Sequence, residues 1–446
     1  MQRVERMSEQ LISGWGRVGV VGQEIHSDDL PRLPPDVTLC RGLGRSYGDS
    51  SLPASTKSRV ACTTLADRLL YFDPNSGRVT LEAGVSLRAL ARLFLPRGWF
   101  VPVTPGTSDV TVGGMVAADV HGKNHHVDGC FGSYVDELLI RVADGRTIVC
   151  SRNTASDLFF ATIGGMGLTG HILEVTFRMS RIPSSWISAE SVRLDNIDTL
   201  LQELRESSND WPFTVAWVDG LSGGRNLGRG IVYKGRWSKR TANGLSGPEP
   251  RQAPAVPCDF PNWVLNRWSV GRFNDVTYYR HGARTRVFTQ SPYDFFYPLD
   301  SVRNWNRVYG RRGFTQYQCV IPEKYGQEGM RQLLQHLSEK HANAFLCVIK
   351  NCGDEGHGLL SFPLAGMSAA IDLPIDRQTQ GLVDFLNEWV IGLGGRIYLA
   401  KDAFTRAEHF KAMEPRLAHW KSVRCQWDPT LRIRSAQSVR IFGDPE

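Results

Sequence analysis

No uncharged apolar run in this 446-residue chain approaches the roughly 18 residues needed to span a bilayer. The opening stretch, MQRVERMSEQLISGWGRVG, also lacks a sustained apolar core, so no cleaved signal peptide is expected. Both absences predict a cytoplasmic protein, or one peripheral at the inner membrane. Paired cysteines are missing too. Nine cysteines lie scattered from Cys40 to Cys425, odd in number and with no CxxC spacing. That pattern reads as reduced thiols in a cytosol-facing protein, not a disulfide framework. One-sided charge is scarce: 52 Lys+Arg against 45 Asp+Glu leave a net charge of +7. A nucleic-acid binder usually carries a denser basic footprint, whereas this mild excess suits an anionic small ligand or membrane surface. No internal repeat is found.

What is present is glycine, 44 residues of it, and a 41% hydrophobic content sufficient for buried cores. At roughly 150 residues per domain, the length fits two or three domains. Residues 59–182 read as an α/β or α+β region. RVTLEAG (78–84) alternates as a strand, and SLRALARLFLPRG (86–98) has helical spacing behind Ser86, a cap residue. Residues 138–151 predict a hairpin turning at Asp144-Gly145, and 171–180 another strand. Past Pro183 the pattern predicts helices at 196–206, 323–341 and 378–393. Strands are expected at 211–218, 230–234, 344–350 and 369–373, giving a second sheet with helices packed on it. Residues 240–262, with five prolines, read as a long loop. The last fifty residues predict a strand (394–402) and a helix (406–420).

Two glycine-rich stretches compete for a phosphate. GGMGLTG (164–170) contains a formal GxGxxG, but a helix precedes it and a strand follows. A dinucleotide fingerprint needs the reverse order, so that reading is rejected. RGLGRSYGDS (41–50) follows the β-like VTLC and carries Gly42, Gly44 and Gly48 with Arg41, Arg45 and Ser46. Successive glycines can turn several backbone N–H groups into one anion-binding concavity. A Gly-rich surface turn is the other reading of the same residues. A third cluster, PGTSDVTVGGMVAADVHGKNHH (105–126), combines glycines and small side chains that would let a planar ligand lie on the backbone. Its closing histidines, His121 and His125, are four apart, but Gly122 and Asn124 intervene. No HExxH glutamate is present, so no metal site is expected. His121 follows an apolar run and is expected to point into a site, where an ordinary imidazole takes or holds a proton near neutrality.

The order RGLGRSYGD, PGTSDVTVGG, DVHGKNHH, TIGGMGLTG and IYLAKD resembles the decaprenylphosphoryl-β-D-ribose 2′-oxidase family. Those flavoenzymes sit within the vanillyl-alcohol-oxidase, or PCMH-type FAD-binding, superfamily. The resemblance runs from about residue 12 to the tail, and RSYGD with HGKNHH is its specific part. It implies an α+β, two-domain fold in which an FAD-binding domain is split between residues 1–182 and 397–446. A substrate domain with an antiparallel sheet flanked by helices, residues 183–396, is inserted between them.

The resemblance also implies a set of site residues. Arg41, Gly42, Leu43, Gly44, Arg45, Ser46, Tyr47 and Gly48 would hold the FAD pyrophosphate. Pro105, Gly106, Thr107, Val112, Gly113, Gly114, Ala117 and Ala118 would line the adenosine and the isoalloxazine edge. His121, Gly122, Asn124 and His125 would continue that wall. Gly167, Gly170 and Ile172 would pack along the cofactor, and Tyr398 would close the flavin edge. Many superfamily members attach FAD through a histidine where this chain has Arg45, so FAD is expected to be non-covalent. Mycobacterial family members carry a cysteine where this chain has Ala370.

For chemistry, the resemblance implies oxidation of a ribose 2-hydroxyl on a polyprenyl phosphate, by hydride transfer to flavin N5. The catalytic residues would be His121, Lys401 and Tyr47. Lys401 is also placed by a charge argument, because the reduced flavin is electron-rich and a cation stabilises it. Substrate would meet Lys123, Trp217, Gln316, Gln318, Lys350 and Lys401. The two glutamines share one side of a strand, although buried, internally satisfied amides fit that pattern too. A nicotinamide-dependent short-chain reductase would be the partner that completes an epimerisation to arabinose. Residues 263–288 mix five arginines with six aromatics. They fit a flap at a membrane surface or an irregular solvated loop. The competing function is a soluble sugar, alditol or aldonolactone oxidase using oxygen. A non-catalytic flavin binder is a third class.

Overall fold

The computed structural model describes residues 9–239, 248–250 and 252–446. The opening residues and part of the proline-rich stretch read as a loop therefore lie outside the described residues. Two sheets form from the first 178 residues. One has the strand order Gln10–Ser13, Gly19–His26, Arg59–Cys62, Val37–Arg41. The other is antiparallel, in the order Leu69–Phe72, Arg78–Glu82, His171–Arg178, Val135–Arg141, Thr147–Ser151. The expected helix forms at Leu87–Phe94, and the Ser86 side chain accepts from Ala89 N as its cap. Leu87, Leu90 and Phe94 are its buried face.

An eight-stranded antiparallel sheet draws its strands from Ile187 to Ile397. Its order is Thr285–Gln290, Ile187–Leu194, Gly230–Trp237, Phe213–Val218, Cys347–Cys352, Gly366–Pro374, Phe314–Pro322, Arg396–Ile397. Side chains alternate across a strand, so each strand serves two environments. Ala216, Val218, Val232, Ile349 and Cys319 enter a core with Leu200, Leu204, Met330, Leu333 and Leu337 of the helices Ile197–Asp210 and Gly326–Glu339. Their neighbours Val215, Trp217, Tyr233, Val348, Lys350, Gln316 and Gln318 line a cavity instead. Burying each leucine contributes about 1.5–3 kcal/mol, so the helical layer fixes which face of the sheet remains open.

The C-terminal residues return to the first sheets. Trp420 Nε1 donates to Ala161 O at 3.0 Å, Arg434 N to Thr38 O, and Ala436 N to Leu52 O. Arg424, 2% exposed, holds Asp444 and also donates to Leu168 O and Ile433 O.

Three expectations are corrected. The helix read at 406–420 is two helices, Ala407–Met413 and Leu417–Trp427. Pro415 disfavours helical geometry at the residue before it, and Glu414 is extended at φ −117, ψ 92. The strand read at 394–402 pairs only over Arg396–Ile397 before a turn through Lys401, whose N–H donates to Tyr398 O. Of the two readings of 263–288, the irregular solvated loop is excluded: the stretch holds the helix Arg267–Arg280 followed by the strand Thr285–Gln290. Asn266 and Ser269 form a reciprocal capping box that starts this helix.

Candidate active site

A cavity of about 660 Å³ lies between the glycine-rich loops and the open face of the large sheet. A second cleft shares Arg45, Tyr47, Thr107 and Leu299 with it. The cavity wall brings together Arg41 through Tyr47, Pro105 to Thr107, Gly113, Gly114, Ala117, Ala118 and His121 to Lys123. Gly167, Gly170, Ile172, Trp217, Gln316, Gln318, Lys350, Tyr398 and Lys401 complete the predicted set found there.

Four predicted residues lie outside that wall, each for a physical reason. A Cβ on Gly48 would meet Asp402 O at 1.7 Å, so this glycine permits close packing of the tail. Val112 is fully buried at the start of the helix Val112–Ala117. Asn124 donates to Pro102 O at 2.8 Å and to Asp128. His125 accepts from Gly353 N at 3.1 Å and faces Cys130 Sγ at 3.3 Å. The last two brace the loop that carries His121. Asp119 braces it as well, at φ 39, with Gly132 N and Ser361 Oγ donating to its carboxylate.

The nest at residues 41–48 differs from expectation in one respect. Both arginine side chains are already engaged. Arg41 pairs with Glu24 at 3.2 Å and donates to Ser13 O. Arg45 donates to Leu43 O and Asp109, with its guanidinium 4.3 Å over the Trp15 ring. The amides of Gly42 and Gly44 find no acceptor among the described residues, and Gly44 sits at φ +63. Ser50 Oγ, in the same wall, is buried without a partner. Gly42 and Gly44 are half-buried, but the buried Ser50 hydroxyl left unsatisfied carries a cost of about 1–3 kcal/mol, which an anionic group bound in this loop would relieve. The residues present therefore fit FAD.

At the other end of the cavity, cationic groups converge. Gln318 Nε2 lies 3.0 Å from His121 Nε2, and Lys350 Nζ lies 3.3 Å from His121 Nδ1. Burial, then Lys350, His125 and Lys401, hold the His121 pKa well below the usual imidazole value. The ordinary titration expected for His121 is thus corrected: the ring is neutral at pH 7. A neutral imidazole carries one N–H. When Gln318 donates to Nε2, Nδ1 carries that proton and Lys350 accepts it as a neutral amine. When Lys350 is charged, Gln318 must present its carbonyl oxygen.

Lys123 donates to Phe295 O and lies 4.5 Å from that ring's centroid. Lys401 Nζ stands 3.6 Å over the Tyr47 ring. Burial lowers both to about 7, with Lys350 adding repulsion; Asp372 pulls Lys401 back up. Tyr398 OH donates to Ala118 O at 2.9 Å. Among the described residues the wall holds Arg41, Arg45, Lys123, Lys350 and Lys401 against one acid, Asp294.

Sequence reasoning missed Asp372 and Tyr309. Asp372 is fully buried, pairs in register with Gln316 and accepts from Tyr309 OH. It also missed Val215 and Tyr233, which the two-residue alternation around Trp217 and across its register to Ile231 could have found.

The fold and cavity define a flavin-dependent oxidoreductase of the α+β, PCMH-type FAD-binding class. A family model described as an FAD binding domain matches residues 37–151. The chain is 34% identical over 450 residues to decaprenylphosphoryl-β-D-ribose oxidase of Mycolicibacterium smegmatis, covering 96% of this chain and 97% of that protein. Mouse L-gulonolactone oxidase is 31% identical over 33% of the chain and 36% of its own length. A putative D-arabinono-1,4-lactone oxidase of Neurospora crassa is 30% identical over 31% of the chain and 24% of its own length. The chain belongs to the decaprenylphosphoryl-β-D-ribose oxidase family, and its cofactor is FAD.

Proposed function

We propose that this enzyme oxidises the 2-hydroxyl of a ribose carried on a polyprenyl phosphate, giving a 2-keto sugar. A nicotinamide-dependent short-chain reductase would then complete epimerisation to arabinose for a surface polysaccharide. The observation that carries the reading is the gathering of three half-buried lysine amines beside paired amides. Lys123, Lys350 and Lys401 surround a space also lined by Gln316, Gln318 and Trp217. Burying an ammonium opposite neutral groups is costly, and an anionic ligand offsets that cost. A free alditol brings no such charge, which disfavours the soluble sugar or lactone oxidase. The lipid of the favoured substrate implies peripheral association with a membrane.

FAD, when bound, accepts the hydride that leaves the sugar carbon. The chain's own groups do the rest in this reading. As the phosphate draws Lys350 away, His121, held neutral, frees Nδ1 to accept a hydrogen bond from the reacting hydroxyl while Nε2–H donates to the Gln318 carbonyl. Gln316 and Gln318 hold sugar hydroxyls, Lys123 and Lys350 meet the phosphate, and Trp217 gives an apolar face. Lys401, on the Tyr47 ring, contributes positive charge that favours the electron-rich reduced cofactor.

The test is spectroscopic. The purified protein is expected to be yellow, and acid should release the colour, as non-covalent FAD requires. Anaerobic addition of a polyprenyl-phosphoribose should bleach it, whereas free alditols should not. Bleaching by alditols alone would replace this reading with the soluble oxidase.

A further inference from the structure

We propose that the helix Arg267–Arg280 and the edge strand Thr285–Gln290 form the face by which this protein docks on an anionic lipid bilayer. The inference rests on the lipid-linked substrate reading and names the surface that reading requires.

The helix does not gather its apolar side chains on its buried face. Its buried stripe is Val270, Asn274 and Tyr278, and two of those three are tied by polar bonds. Asn274 Nδ2 donates to Asp219 at 2.7 Å, and Tyr278 OH donates to Asp195 at 2.6 Å. Arg229 grips Asp219 and Asp275 together, so the helix is held against rotation. Its apolar side chains face out: Trp268 is 74% exposed, and Val276 and Tyr279 are each 62% exposed. These fall within about 80° of one another around the helix axis, at about 100° per residue. Trp263, just before the helix, is 74% exposed, and Val287 on the strand is 79% exposed. That strand is the terminal one of the eight-stranded sheet, paired on one side only, to Ile187–Leu194.

Charge selects the occupant. Arg267, Arg272, Arg280, Arg284 and Arg286 are all exposed on these two elements and their connection. The acid among them, Asp275, is neutralised by Arg229 and Arg272. Exposed Trp and Tyr interleaved with arginine match the headgroup layer of an anionic membrane, where rings sit at the interface and guanidinium groups meet phosphates. A large exposed apolar patch on a water-soluble surface otherwise invites aggregation.

The same two elements also wall the active site. Phe273 and Thr277 of the helix, with Phe288 and Gln290 of the strand, line the cavity. Docking by this face therefore sets the cavity against the bilayer, and a sugar phosphate can enter while its polyprenyl tail stays in lipid.

The experiment is co-sedimentation of the full-length, FAD-loaded protein with vesicles. One set is phosphatidylcholine alone; the other includes phosphatidylglycerol. The protein is expected to sediment with the anionic set and to be released by salt, since the charge contribution is screened. The combined variant Trp268→Ser, Val276→Ser, Tyr279→Ser should weaken that binding at least tenfold. Its flavin spectrum, thermal transition and bleaching by a water-soluble short-chain phosphoribose should be unchanged. A second variant, Arg267→Glu with Arg280→Glu, should abolish the preference for anionic vesicles. Failure of the native protein to sediment, or full retention of binding by the triple variant, overturns the proposal. So does self-association that the triple variant abolishes while vesicles bind neither form, because the face would then join copies of this chain. Bleaching by the short-chain phosphoribose needs no membrane, so the substrate reading stands or falls separately.

Discussion

Gln316 Nε2 donates to Asp372 Oδ1 at 2.5 Å across paired strands, and the other carboxylate oxygen accepts from Tyr309 OH at 2.9 Å. Burial raises Asp372 to about 6. At neutral pH its charge orients a substrate-facing amide and supports the Lys401 ammonium from behind the wall. Asp372→Asn removes that support, so Lys401 should lose its proton at lower pH. The alkaline limb of anaerobic flavin reduction should then move toward acid in stopped-flow measurements. An unmoved limb would show that Asp372 acts on Gln316 alone.

Lys401→Met should slow flavin reduction by about 10²–10³-fold, the usual effect of removing one group that stabilises developing negative charge. Binding of substrate should change less than the rate. Single-turnover kinetics separates the two, and an unaltered rate would take Lys401 out of the chemistry.

Substrate binding should be coupled to protons. Lys123 and Lys401 are lowered from 10.5 to about 7 by burial. Between about pH 7 and 10.5 the folded protein therefore binds fewer protons than the unfolded chain, and stability contributed by these groups rises with pH across that window. A bound phosphate favours the ammonium form and reverses the shift. At pH near 8, a phosphate-bearing sugar should draw about one proton from solution onto Lys123, seen as a buffer-dependent calorimetric enthalpy. An uncharged sugar should draw none. Buffer-independent heats for the phosphate sugar would place its charge elsewhere.

Two glycines of the cofactor loops should respond differently to alanine. At Gly48 the added carbon would meet Asp402 O at 1.7 Å, whereas at Gly106 it meets only Leu299 at 3.9 Å. Gly48→Ala should cost about 3 kcal/mol and release FAD. Gly106→Ala should keep a native thermal transition and a yellow colour. Equal stability of the two variants would mean that the tail does not clamp the loop at residue 48.

Much of the site was legible because its chemistry is written in contiguous stretches. RGLGRSYGD and HGKNHH each occupy neighbouring positions, and Arg41 through Tyr47 and His121 through Lys123 reach one cavity. The helix at Leu87–Phe94 was equally plain, since its cap and its apolar spacing are both local. The helix Arg267–Arg280 was not, because its apolar residues do not mark its buried side. Three-dimensional pins from Asp195, Asp219 and Arg229 hold it.

The cofactor class, carried by the resemblance of its motifs in their order, and the mild cationic balance were determined by the sequence alone, because both are read from residue types along the chain. Tertiary structure decided which charges the groups of the site carry and where the aromatic surface faces. His121 is neutral because folding buries it and brings the charges of Lys350 and Lys401, 229 and 280 positions away, near it. Proton affinity depends on dielectric surroundings and on neighbours brought together only by folding, and no local pattern of residues contains either.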